Sequence, residues 1–267
     1  EILALSLITG FLGAGKTTFL KNFARQFAGR RLRLIINEFG RAGVDGTLLR
    51  ELDAALDEIS NGSIFCACRL DQFEAALEQA AADAPDVVLM EASGLADPTN
   101  VRRVLAQFPA VSYQGSVCVA DAARLEKVFS TARACPRQLA VSSLVLLNKT
   151  DLATEAQCAE AKALILRANP AARIRRTQFG RFEPEWLSLI VPDVDVDEVL
   201  DMPDITLQKA VLQIRPTMPF TALQKCLVQL AGETWRIKGF VRVPEGIFYV
   251  DCTGPEVRLT PWQGEAD

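Results

Sequence analysis

Apolar and polar residues follow two rhythms along this chain, and the pattern changes near residue 190. Before that point, short apolar runs bounded by turn residues alternate with stretches whose apolar positions recur three and four apart, as one buried helical face requires. The runs at 2–8, 32–36, 86–90, 113–120, 143–147 and 172–175 read as strands. The stretch from Thr17 to Phe27 puts Phe19, Leu20, Phe23, Ala24 and Phe27 on one side of a helix. This alternation predicts an α/β domain over residues 1–190, with a mainly parallel sheet covered by helices on both faces.

A different pattern follows. Residues 191–204 carry Asp193, Asp195, Asp197, Glu198, Asp201 and Asp204 together with Pro192 and Pro203, and read as an acidic linker. The D-x-D-x-D start resembles a calcium loop, but Glu198 stands where the glycine turn is needed. Residues 205–267 predict a small α+β domain. It has a weakly alternating strand at 205–214, a helix face of Phe220, Leu223, Leu227 and Leu230, and a hairpin of 235–243 with 246–252 around Pro244-Glu245-Gly246.

Composition narrows the function classes. The chain has 267 residues, 49% of them hydrophobic, and a net charge of -4, which argues against nucleic acid as the main partner. Its arginine clusters, Arg30, Arg31 and Arg33, then Arg173, Arg175, Arg176 and Arg181, read as solvated faces or phosphate-side residues. No apolar run reaches the roughly eighteen residues of a membrane span. The chain opens at Glu1 without a signal-like apolar stretch, as a trimmed start would. Seven scattered cysteines, an odd number, predict reduced thiols and a cytoplasmic setting.

The chemistry is concentrated at strand ends. Directly after the first apolar run, Gly10 to Thr17 reads Gly-Phe-Leu-Gly-Ala-Gly-Lys-Thr, a G-x-x-x-x-G-K-[ST] phosphate loop leading into the Thr17–Phe27 helix. Gly10, Gly13 and Gly15, with Ala14, let successive amides converge on phosphate oxygens, and Lys16 adds a point charge. The Thr17 hydroxyl is the candidate ligand of a Mg²⁺ ion bridging those phosphates, and Thr18 the candidate for the α-phosphate. Asn148-Lys149-Thr150-Asp151 follows another apolar run. A carboxylate at Asp151 can accept the N1–H and N2–H of guanine, a pair adenine lacks, while Asn148 and Lys149 brace the loop and cover the ring. The strand at 86–90 ends in Glu91, the candidate acid for orienting Mg²⁺. Gly94, three residues on, has an unobstructed amide for sensing a γ-phosphate. Asp121, closing the strand at 113–120, is the second acid in rank.

These stretches carry a family resemblance. The chain resembles the CobW-like P-loop GTPases, the accessory GTPases of metal centres and cobalamin pathways. The matches are Thr9 to Thr18, then Asn37-Glu38-Phe39-Gly40 with Val44-Asp45, Asn61-Gly62, Glu91 to Pro98, Asn148 to Leu152, and Arg236-Ile237-Lys238-Gly239-Phe240 near the end. The resemblance implies GTP and GDP as ligands, a slow intrinsic GTPase with Lys16, Thr17 and Glu91 in the catalytic role, and a client metalloprotein or corrinoid protein as partner. One stretch departs from it. Where the family shows Asn-Gly-Cys-Ile-Cys-Cys, a metal-binding cluster, this chain reads Asn61-Gly62-Ser63-Ile64-Phe65-Cys66-Ala67-Cys68. The displaced Cys66 and Cys68 either chelate a soft ion such as Zn²⁺, Co²⁺ or Ni²⁺ with help from Glu38 or Asp45, or are ordinary small half-buried residues.

The chain contains no histidine, so no imidazole can complete a metal site or act as general base. Arg41 lies in the stretch expected to switch. Three functions follow from these features: a GTP-hydrolysing accessory protein for a metal or corrinoid centre, a GTP-dependent protein-interaction switch without metal delivery, and a P-loop kinase. The last is disfavoured by Asn148 to Asp151.

Overall fold

A computed structural model describes residues 2–38, 54–60, 70–192, 211–215, 217–234, 236–253 and 256–263. The expected sites at Cys66, Cys68, Asp45 and Arg41, and the acidic stretch from Asp193 onward, lie outside the described residues. The chain divides into two compact units, Glu1–Ile205 and Thr206–Asp267.

The first unit is built on seven parallel strands. In chain order they are β1 (Leu3–Thr9), β2 (Leu32–Glu38), β3 (Ala55–Ser60), β4 (Val87–Glu91), β5 (Val111–Asp121), β6 (Leu144–Asn148) and β7 (Arg173–Arg176), and in the sheet they run β3-β2-β4-β1-β5-β6-β7. Parallel strands joined by crossover helices need cover on both faces, which explains the near-continuous apolar letters of β1, β4 and β6. Alternate residues of β1 divide the core. Leu3, Leu5 and Leu7 pack with Val88, Met90 and Ile35 under Phe73 and Leu77 of helix α2 (Leu70–Asp83) and Val101 and Val104 of α3 (Val101–Leu105). Ile8 faces the other way, among Phe19, Leu20 and Phe23 of α1 (Lys16–Ala24). Phe19, Phe23 and Phe182 form an aromatic knot there, with the Phe23 and Phe182 centroids 4.8 Å apart. Three more α-helices among the described residues of this unit are α4 (Leu125–Thr131), α5 (Ala134–Ala140) and α6 (Glu155–Ala168).

Strand order decides where a ligand can sit. From β1 the chain moves to β2 and β3 on one side and then crosses to β5, β6 and β7 on the other. Open parallel sheets bind ligands at such a reversal, outside the carboxyl ends of the strands, and the ends of β1, β4, β5 and β6 carry the four motifs. Arg33 does not belong to a solvated basic cluster. It is 4% exposed on β2 and pairs with Asp57 of β3 and Asp83 of α2. Burial alone would lower its pKa, but hydrogen bonds and charge from the two carboxylates raise it.

In the second unit, α7 (Phe220–Glu233) packs Leu223, Leu227 and Ala231 on Val243, Val250 and Cys252 of an antiparallel sheet. The sheet is β10-β9-β8, from β8 (Ile237–Val243), β9 (Gly246–Thr253) and β10 (Glu256–Trp262). The β8–β9 turn also supplies the start of α7 with an acceptor, since the Phe220 amide donates to the Glu245 carboxylate at 3.1 Å.

Candidate functional site

The phosphate-loop residues form a tight bend between β1 and α1. Gly10 has φ +138°, and a Cβ there would lie 2.2 Å from the Val119 carbonyl oxygen, so no other residue fits beside β5. Helix α1 has Gly15 at its N-cap, a residue without a side chain to close the first turn. By contrast, α6 is closed by a Thr154–Gln157 capping box. The positive dipole end of a helix suits an anion. Lys16 is 5% exposed and its Nζ lies 4.0 Å from Oε1 of Glu91, itself 4% exposed at the end of β4. Thr17 is half-buried and Thr18 exposed at the mouth of the same turn. The Glu91 carboxylate beside Lys16 and the hydroxyl of Thr17, the next residue of α1, are hard oxygen donors of the kind that Mg²⁺ takes together with a polyphosphate.

Gly94 lies against the loop from the β4 side, where an added Cβ would meet Leu12 Cδ2 at 2.6 Å and its amide nitrogen at 2.9 Å. The segment after Gly94 is tied to α5. Gln138, 1% exposed, donates to the Gly94 and Ala96 carbonyls at 3.1 and 3.0 Å, and the adjacent Arg137 pairs with Asp97. Gln138 had no motif to announce it; only the fold brings it to Gly94.

At the other end, Asn148 fastens three segments together. Its Nδ2 donates to the Ala14 carbonyl at 2.9 Å and its Oδ1 accepts from the Gly180 amide at 3.0 Å. Thr150 Oγ1 donates to the Thr177 carbonyl at 3.1 Å, and Asn22 Nδ2 of α1 donates to the Phe179 and Gly180 carbonyls at 3.0 Å each. The 177–180 turn and Asn22 were not anticipated from sequence, although Phe-Gly just past a strand end was the available signal. Lys149 has φ +60°, and its Nζ lies 2.9 Å from Asp121 Oδ2, so Asp121 is an ion-pair partner of Lys149 while Glu91 faces Lys16. Asp151 is exposed at the rim.

Between the loop and α4–α5 a cleft is lined by Phe11, Leu12, Cys118, Asp121, Arg124 and Gln138 among others. Burial pushes the Cys118 thiol up to about 12, against a small opposing pull from Lys16, and raises Cys135 as well. These two thiols stay protonated and are poor metal ligands. Among the described residues no group of three or more His, Cys, Asp or Glu side chains could hold a metal ion. Of the expected transition-metal ligands only Glu38 belongs to a described element, as the last residue of β2. No helix among the described residues is long and apolar enough to cross a membrane.

Residues 4–176 match the model of the CobW/HypB/UreG nucleotide-binding domain. The chain belongs to this family. Within the CobW/HypB/UreG family it is 32% identical over 206 residues to the zinc chaperone CobW of Pseudomonas aeruginosa, covering 64% of this chain and 55% of that protein. It is 26% identical over 230 residues to the zinc chaperone YjiA of Escherichia coli, covering 82% and 68%. The chain therefore spans little more than half the length of the CobW relative it matches. The fold superposes on the crystal structure of Zn(II)-bound YjiA GTPase with a TM-score of 0.54 at 18% identity, over 100% of this chain and 92% of that one. That likeness covers the parallel P-loop sheet and the small antiparallel sheet alike.

Proposed function

We propose that this chain binds GTP and GDP with Mg²⁺, hydrolyses GTP slowly, and uses that cycle to deliver a metal ion to a client metalloprotein or corrinoid protein. The observation that carries the nucleotide part is the Asn148 fastening. It links the backbone of the phosphate loop, at Ala14, to the turn beside Asp151, so that sites for the two ends of one nucleotide are held at fixed separation. Lys16 and the amides of Gly13, Ala14, Gly15 and Thr17 take the β- and γ-phosphates, Thr18 the α-phosphate, and Asp151 the guanine edge. Thr17 and Glu91 would hold Mg²⁺, which supplies charge neutralisation on the phosphate oxygens when bound. Glu91 orients the attacking water, and the Gly94 amide meets the γ-phosphate. With no histidine in the chain, hydrolysis rests on positioning and charge compensation, hence the slow rate.

Asp151→Asn reverses the acceptor pattern at the base and should exchange preference from GTP to xanthosine triphosphate, read by calorimetry with both nucleotides. Retained GTP preference would refute the assignment of the base.

The cargo part draws on relatives named as zinc chaperones and on the two thiols Cys66 and Cys68. Zinc is the favoured cargo, with cobalt and nickel as competitors at a two-thiolate site. Ser63 and Phe65, in place of two family cysteines, favour a second reading, a GTP-dependent protein-interaction switch without metal delivery. Titration of Zn²⁺, Co²⁺ and Ni²⁺ into wild type and into the Cys66→Ser, Cys68→Ser double variant separates the two. Delivery requires that the double variant lose its tightest metal-binding event; unchanged titrations leave the switch.

A further inference from the structure

Three described non-glycine residues have positive φ: Ala84 at +48°, Lys149 at +60° and Phe179 at +54°. Two of them belong to the pair of turns fastened by Asn148 and Thr150. The left-handed region is unfavourable for any residue with a Cβ, and more so for a bulky one, so an aromatic side chain held there by its surroundings points to a use. The surroundings are specific. Asn22 takes the Phe179 and Gly180 carbonyls, Asn148 takes the Gly180 amide, and Thr177 Oγ1 donates to the Arg181 carbonyl at 2.8 Å. The backbone of this turn is thus fixed on both sides, while the Phe179 ring is 54% exposed.

Packing does not explain that ring. Phe182, three residues later, is 7% exposed and packs on Phe19 and Phe23, so the hydrophobic need of this segment is already met. Across the fastened turns stands Lys149, whose ammonium is drawn to Asp121, 2.9 Å away, so that its four-carbon stem is held in one course. A ring on one turn and an aliphatic stem on the other, with Asp151 at the rim, suit a flat heteroaromatic ligand.

We infer that Phe179 is the stacking partner of the purine base, with the Lys149 stem as the opposing wall and Asp121 as the residue that positions that stem. This rests on the proposed guanine-nucleotide reading and adds to it the group that supplies the affinity for the base, as distinct from Asp151, which selects it.

The test is calorimetric titration of GDP and GTP, each with Mg²⁺, into wild type, Phe179→Tyr, Phe179→Leu and Phe179→Ala. Loss of a base–aromatic stack weakens binding by about tenfold or more. The alanine variant should lose that factor equally for GDP and GTP, because the phosphates are untouched; leucine should recover part of it and tyrosine nearly all. The exposed ring makes little contact in the fold, so thermal melts of the four proteins should agree. An alanine variant that binds GDP within twofold of a wild type that does bind it overturns the inference and leaves the guanine-nucleotide reading standing. Wild type that binds neither nucleotide takes down both. Binding of ATP in place of GTP, with the same dependence on residue 179, upholds the stack and refutes Asp151 as the selector.

Discussion

Asn148→Ala tests the fastening most directly. Asn148 is 2% exposed, and its side chain has a carbonyl, Ala14, on its nitrogen side and an amide, Gly180, on its oxygen side. These partners fix which way the carboxamide points. Truncation leaves both partners without their bond in a buried setting. At roughly 1–3 kcal/mol for each orphaned group, partly relieved by water entering the gap, the expected loss is about 2–4 kcal/mol. For a unit of this size that is a fall in Tm of about 5–10 °C, measured by scanning calorimetry. Asn148→Asp is the informative companion. It keeps an acceptor for the Gly180 amide but sets a carboxylate against the Ala14 carbonyl, so it should be no more stable than the alanine variant despite its closer shape. Nucleotide affinity should drop in both variants, because the phosphate loop and the base-side turn are no longer held at fixed separation. A Tm within 1 °C of wild type together with unchanged GDP affinity for Asn148→Ala would refute the reasoning.

Two further outcomes are expected. Gly10→Ala, with its Cβ forced toward the Val119 carbonyl oxygen 2.2 Å away and φ at +138°, should cost about 3 kcal/mol or more and be seen in urea melts; a near-native midpoint would contradict the close packing of the loop on β5. Burial would raise the Asp97 pKa, but donors from Thr99 and Arg137 outweigh it and hold the carboxyl below its ordinary value. A depressed folded-state pKa gives stability that is complete above the unfolded value near 4 and is lost as pH falls through the folded one, so Tm should decline between about pH 5 and pH 3. Asp97→Asn should be less stable at pH 7 and show a shallower acid decline; equal slopes would remove Asp97 from the account.

Much of the sheet was legible because β1, β4, β6 and the second half of β5 are buried on both faces and their letters say so. The strands that escaped are edges. β3 reads Ala-Leu-Asp-Glu-Ile-Ser, and its Asp57 is there to meet a buried arginine on β2, a need invisible in the local pattern. β10 contains Pro261, which an outer strand tolerates and which breaks the strand signal. The site shows the same division. Motifs written in consecutive residues, Gly10 to Thr18 and Asn148 to Asp151, could be located directly at the ends of β1 and β6. Contacts such as Gln138 to Gly94 or Asn148 to Gly180 span 44 and 32 residues, so they exist only once the strands are ordered.

The turn at 177–180 approaches α1 so closely that a Cβ on Gly180 would stand 2.6 Å from the Phe19 amide nitrogen. Helix and turn therefore behave as a single solid piece, clamped at both ends of the cradle. On the nucleotide reading proposed above, this rigid piece is the wall on the base side.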